Sequence, residues 1–119
     1  MTKHWEIKKH EYATILTVLH DWDLDIANEF LSYAEKHFHA EQHKNFIFDL
    51  HLVSQVDSMV IGIFISISKK IKKNGGKVFL LKPSKVVENL LLDIGLLSFF
   101  NVYHSIEEIK KIISSDSLD

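Results

Sequence analysis

The sequence predicts a single α/β domain with a mixed, mostly parallel sheet of four to five strands covered by about four helices. Three observations carry that prediction. The apolar runs at 45–50 and 77–82 are nearly continuous, as in strands buried on both faces. Stretches with apolar residues at helical spacing separate and follow them, as parallel strands joined by right-handed crossovers require. The 119 residues, 46% hydrophobic and 25% charged, contain no internal repeat or low-complexity linker, so residues 1–119 read as one domain with one core.

From Trp5 to Val18 the chain alternates weakly, which predicts one strand or two, with Tyr12, Thr14, Leu16 and Val18 on one face and Ala13, Ile15 and Thr17 on the other. Ile26, Phe30, Ala34 and Phe38 then recur near helical spacing, with Ala27 and Leu31 widening the stripe and Asp23 or Asp25 available as cap. Asn45 to Leu50 is the first fully buried strand. The stretch from Ser58 to Asn74 is rich in β-branched residues, which favour strands. Its period decides otherwise: Val60, Phe64, Ile67 and Ile71 fall at steps of four, three and four, and Asn74-Gly75-Gly76 supplies a left-handed stop, so a helix is predicted. Lys77 to Lys82 is the next strand, and Pro83-Ser84 opens a helix that Gly95 can end. A short strand is expected around Phe99 to Tyr103. Ser105 with Glu108 three residues on is a capping box for a last helix faced by Ile106, Ile109, Ile112 and Ile113, and residues 114–119 are expected to fray.

Composition narrows the function. The longest apolar stretch, Met59 to Ile65, is far short of the roughly 20 residues that span a bilayer, so no membrane insertion is expected. The absence of cysteine excludes disulfides, thiolate metal sites and a cysteine nucleophile, and fits a reducing compartment; the chain is expected in the cytoplasm. With a formal net charge of −2 and no arginine, direct binding of nucleic acid is disfavoured. The basic cluster Lys69, Lys70, Lys72 and Lys73 reads as the solvated last turn of a helix. No glycine-rich phosphate loop and no nucleophile elbow occurs, so neither enzyme activity nor a cofactor is expected. Eight histidines raise two further readings, a metal site at Glu35, His39 and His43, four residues apart, and an acid/base pair of His20 and His51 beside Asp21 and Asp57. Neither is preferred: an exposed polar helix face accounts for the first, and scattered histidines for the second.

FDLHLVSQVDSMVIGIF resembles the signature of the STAS-domain family, in which a buried strand ending in aspartate is followed by a short loop, Asp-Ser and a helix. Downstream, IKKNGGKVFLLKPSKVVENLLLDIGLLSFFNVYHSIEEIKKI is similar to the family's second half, and upstream WDLDIANEF resembles its Gly-x-Leu-Asp segment, with Trp22 at the glycine position and Asp25 at the aspartate. The resemblance covers roughly residues 10–113. A freestanding domain of this size looks more like the family's bacterial anti-sigma-factor antagonists or lipid-transport subunits than its transporter tails.

In the antagonists, the serine after the aspartate is phosphorylated by a partner that is both anti-sigma factor and serine kinase, and the phosphate breaks the complex. The resemblance puts Ser58 at that position and implies a partner-binding surface of Asp25, Asp57, Ser58, Met59, Val60 and Trp22. The chemistry is consistent with it: a serine on a helix's first turn is reachable, and a phosphate there meets unpaired N–H groups and the helix dipole. The chain departs from the family where Met59 and Val60 replace a small residue and glycine. That bulk favours an alternative, a constitutive adaptor that is never phosphorylated, such as a lipid-transport or stressosome subunit. The switch reading predicts a mobile loop and a helix start open to solvent; the adaptor reading predicts a permanent apolar patch of Val60, Ile61 and Phe64.

Overall fold

The middle of the sheet is where the sequence is least compatible with water, and the chain is wound around it. The computed structural model describes residues 4–117. Strands β1 (Trp5–Lys9) and β2 (Thr14–Val18) form an antiparallel hairpin. Helix α1 (Leu24–His37), a 3₁₀ turn at Ala40–Gln42 and β3 (Asn45–Asp49) follow. Next come α2 (Ser58–Lys73), β4 (Lys77–Leu81), α3 (Lys85–Asp93), a second 3₁₀ turn at Leu97–Phe99, β5 (Asn101–Tyr103) and α4 (Ile106–Ser117). The strands lie in the order β1-β2-β3-β4-β5, and every pair from β2 onward is parallel.

Alternation along β3 and β4 feeds two cores. Phe46, Phe48, Val78 and Leu80 belong to the larger one, with Phe30 and Ala34 of α1, Val60, Phe64, Ile67 and Ile71 of α2, and Val87 and Leu91 of α3. Ile47, Phe79 and Leu81 belong to the smaller one, together with Ala13 and Ile109 of α4. Each large side chain removed from water in this way contributes about 1.5–3 kcal/mol. Tyr12 does not share the face of Thr14, Leu16 and Val18, as the alternation had suggested. It lies in the hairpin turn, outside the pleat, and packs with Ala13 and Ile15 in the smaller core, where Lys110 Nζ sits 4.9 Å from its ring centre.

Local signals set the element ends. Asp23, not Asp25, caps α1, accepting from Ile26 N at 2.9 Å. The stop after α2 is a Schellman motif: Gly76 N donates to Ile71 O and Gly75 N to Lys72 O, with Gly75 at φ +83°. Gly95, at φ +75°, ends α3 in the same way, with Leu96 N donating to Leu91 O. Ser105 Oγ accepts from Glu108 N at 3.2 Å, the forward half of the expected box. The last strand is shorter than expected, because the 3₁₀ turn occupies Leu97–Phe99. Helix α4 continues through Ser117, into the segment expected to fray; residues 118–119 lie outside the described ones.

Two glycines of this region should respond oppositely to alanine. A Cβ on Gly76 would lie 2.6 Å from His43 O and 2.6 Å from Ile71 Cγ2, and the first of these is backbone. Gly76→Ala is expected to lower the unfolding free energy in urea by about 1–3 kcal/mol. At Gly62, exposed inside α2, a Cβ meets nothing within 4 Å, and Gly62→Ala is expected to raise stability by about 0.5–1 kcal/mol.

Candidate functional site

Open sheets of this type act at the carboxyl ends of their parallel strands, where loops lead into helix starts. Here those loops are 19–23 after β2, 50–57 after β3, 82–84 after β4 and 104–105 after β5. The loop after β3 is tied at several points. Leu50 N donates to Leu81 O and Val53 N to Leu50 O, while Leu50 and Val53 are buried. Asp49 accepts from His51 N at 3.1 Å and contacts His51 Nδ1 at 2.8 Å.

Asp21 clasps this loop from the β2 side. Its carboxylate accepts from Ser54 N at 2.7 Å, from the Ser54 hydroxyl at 2.5 Å and from Gln55 N at 3.4 Å. From the β4 side, Ser84 Oγ donates to Ser54 O at 2.9 Å while capping α3 through Val87 N. Partial burial pushes the Asp21 carboxyl up, but the hydrogen bonds from Ser54 and Gln55, with His20 nearby, outweigh it and hold the group below the ordinary aspartate value.

At the end of this loop, Asp57 is extended (φ −96°, ψ 172°) and caps α2 by accepting from Val60 N at 3.0 Å. Ser58 is the first residue of the helix and is exposed, as are Asp57 and Met59, the latter 41% accessible. Asp25 is exposed on the first turn of α1. These four residues of the expected surface therefore lie open at two helix starts on one end of the sheet.

Trp22 and Val60 are buried there, not open to solvent as the expected surface requires. Trp22 is 6% exposed, its indole N–H donates to His4 O at 2.9 Å, and its ring packs edge-on against Trp5 and Phe64. Val60 is 1% exposed, because the third position of α2 turns onto the sheet. Ile61 and Phe64 are buried with it, so the apolar patch expected of these three residues is absent. The exposed apolar residues at this end are instead Leu24, Leu52, Met59 and Val86. The sequence reading missed Leu24 and Leu52; the available signal was a leucine at a helix's first position and another in the turn after β3, where no packing period reaches.

The histidine readings are corrected. Helix α1 stops at His37 and Phe38 is extended (φ −90°, ψ 122°), so Glu35, His39 and His43 do not share a helix face. His43 contacts Thr14 Oγ1 at 2.9 Å and stacks on Phe38, and burial, with Lys9 nearby, lowers its pKa. Among the described residues no group of three or more His, Asp or Glu is placed to hold a metal. His20 contacts His4 Nδ1 and Asp21 O, each at 2.8 Å, whereas His51 is engaged by Asp49. Asp21 and Asp57 are committed to Ser54 and Val60. A recess of about 300 Å³ at these strand ends is lined by Asp21, Trp22, Gln55, Val56 and Asp57 and involves neither histidine.

A five-stranded mixed sheet with helices on both faces, and an Asp-Ser helix start behind its central strand, is the frame of a STAS-type domain. The model of the STAS domain matches residues 4–109, and the chain belongs to that family. No curated protein matches the sequence. Among solved structures, a Thermotoga maritima protein is 22% identical, with a TM-score of 0.84 over 94% of this chain and 96% of its own. The anti-sigma factor antagonist SpoIIAA of Bacillus, in its unphosphorylated form, is 15% identical, with a TM-score of 0.73 over 91% and 95%. A Ser-to-Glu variant of RsbS from Moorella thermoacetica is 16% identical, with a TM-score of 0.78 over 98% and 100%. These likenesses are of fold. No helix among the described residues is long and apolar enough to cross a membrane.

The clasp carries a pH signature. An unfolded aspartate titrates near about 3.9, and the folded Asp21 carboxyl titrates lower, so its contribution is complete above that value and is lost as pH falls through the folded one. Asp21→Asn is expected to cost up to about 1 kcal/mol at neutral pH, measured by urea unfolding, with the difference from wild type shrinking below about pH 4.

Proposed function

We propose that this protein is a phosphorylation-switched interaction module of the anti-sigma-factor antagonist kind, acting in the cytoplasm. It binds an anti-sigma-factor serine kinase, or a related regulatory protein, through the helix starts around Ser58, and is released when Ser58 is phosphorylated. The observation that carries this reading is the position of Ser58, exposed as the first residue of α2 while the neighbouring Asp57 carboxylate is occupied by its cap. Around it, exposed Leu24, Leu52 and Met59 supply apolar contact area, and Asp23, Asp25 and Asp57 supply negative charge. A phosphate adds about −1.5 to −2 charges there, close to Asp57, in a surface that a partner must otherwise dehydrate. That group opposes the complex by repulsion and by its own hydration.

A second reading keeps the same surface without the phosphate. The ties from Asp21 and Ser84 that hold the loop before Ser58 favour a constitutive adaptor, such as a lipid-transport or stressosome subunit, since a kinase has to reach a serine already seated in a helix. The two readings separate in one experiment. Protein isolated from its native host is analysed by peptide mass spectrometry, and partners are recovered with wild type, Ser58→Ala and Ser58→Glu as bait. The switch predicts phosphate mapped to Ser58, retention of the partner by Ser58→Ala, and loss of affinity on the order of 100-fold for Ser58→Glu. Partner binding unchanged in Ser58→Glu, with no phosphate under any growth condition, overturns the switch and leaves the adaptor.

A further inference from the structure

Within a formal net charge of −2 the charges are unevenly placed along the strand direction: Lys82 and Lys85 share one end with a group of aspartates, and Glu11, Glu41 and Asp93 share the other with a larger group of lysines. Asp21, Asp23, Asp25, Asp49 and Asp57 lie at the carboxyl ends of the parallel strands. At the opposite end, β3 and β4 begin beside Lys44 and with Lys77, joined by Lys77 N donating to Lys44 O at 2.7 Å. Helix α2 ends at the same place with Lys69, Lys70, Lys72 and Lys73, and all six lysines are exposed.

Two recesses flank this cationic surface. One, of about 260 Å³, is polar and includes Lys9, His10, Glu11 and Lys44 in its lining. The other, of about 340 Å³, is lined by Leu92, Gly95, Leu97 and Ser98 where α3 ends. Beside it Leu92 is 60% and Ile94 44% exposed, with exposed Asp93 between them. Lys72 links the lysines to this apolar corner: its Nζ donates to Phe99 O at 2.8 Å and lies 3.9 Å above the Phe99 ring.

We propose that this end of the domain docks on an anionic phospholipid bilayer, with the lysines against headgroup phosphates and Leu92 and Ile94 at the acyl boundary. Exposed aliphatic side chains beside a lysine field are the two components of interfacial membrane binding, one drawn by apolar burial and the other by surface potential. A phosphate backbone uses only the second, and the chain has no arginine to grip nucleic acid bidentately. The docking surface lies at the opposite end of the sheet from Ser58 and does not rest on the switch, so a membrane-bound molecule would present its helix starts to a partner.

The test is vesicle flotation of the full chain with phosphatidylcholine alone and with phosphatidylcholine containing phosphatidylglycerol. The protein is expected to float only with the anionic vesicles, and the bound fraction to fall at least about tenfold from low to high salt. Lys69→Glu with Lys70→Glu and Lys73→Glu is expected to abolish flotation, and Leu92→Ser with Ile94→Ser to weaken it about tenfold. All five side chains are exposed, and unchanged thermal unfolding confirms that the variants fold. Ser58→Ala floats as wild type, which separates this surface from the switch. No flotation on either vesicle, equal flotation on both, retention by the triple glutamate variant, or displacement from anionic vesicles by a single-stranded RNA oligonucleotide overturns the proposal.

Discussion

Neither face of β3 or β4 is open to water, and the architecture follows from that constraint. Phe46, Phe48, Val78 and Leu80 require the cover of α1, α2 and α3, while Ile47, Phe79 and Leu81 require α4. With both faces taken, the chain meets solvent only where strands end. Parallel strands place all their helix starts at one end and all their helix stops at the other, and the two ends acquire different chemistry. Aspartates cap the starts of α1 and α2 and serines those of α3 and α4, where N–H groups are unpaired, and lysines crowd the stop of α2, where carbonyls are.

The helix start at Ser58 is shaped by ties on either side of it. Asp21 and Ser84 reach the same residue, Ser54, from opposite neighbours, so the loop out of β3 is positioned by the loops out of β2 and β4. Trp22 shows how closely loop-tying and core positions alternate there. One residue after the clasping aspartate, its ring faces inward between Trp5, Phe30 and Phe64, and its N–H holds the start of β1 through His4 O.

Most of the fold was legible in the sequence, because period and caps are local. The run of β-branched residues after Ser58 reads as a helix from its spacing and its Asn74-Gly75-Gly76 stop, and Val60, Phe64, Ile67 and Ile71 are indeed its buried stripe. Tyr12 was misplaced because alternation stops where a strand becomes a turn, and the 3₁₀ turn before β5 has no period of its own. At the site, Asp57 and Ser58 were legible from their order before a helix. Which neighbours share their surface was not: Met59 and Val60 are adjacent in sequence, yet a helix turns about 100° per residue and sends one to solvent and the other to the sheet. The Asp21–Ser54 contact joins residues 33 apart and leaves no local trace. The histidine spacing misled because α1 ended two residues before His39.

The two cores are unequal, and that inequality divides the molecule into regions of different persistence. Three helices hold one face of the sheet, whereas α4 alone closes the other, beside a final strand of only three residues. Amide protons of α4 and β5 therefore belong to the set that exchanges through partial opening, before the global transition that releases those of β3 and β4. Such an opening uncovers Ile47, Phe79 and Leu81 while leaving the Asp21 clasp and the start of α2 intact. The domain can lose its C-terminal cover without losing the end that carries Ser58.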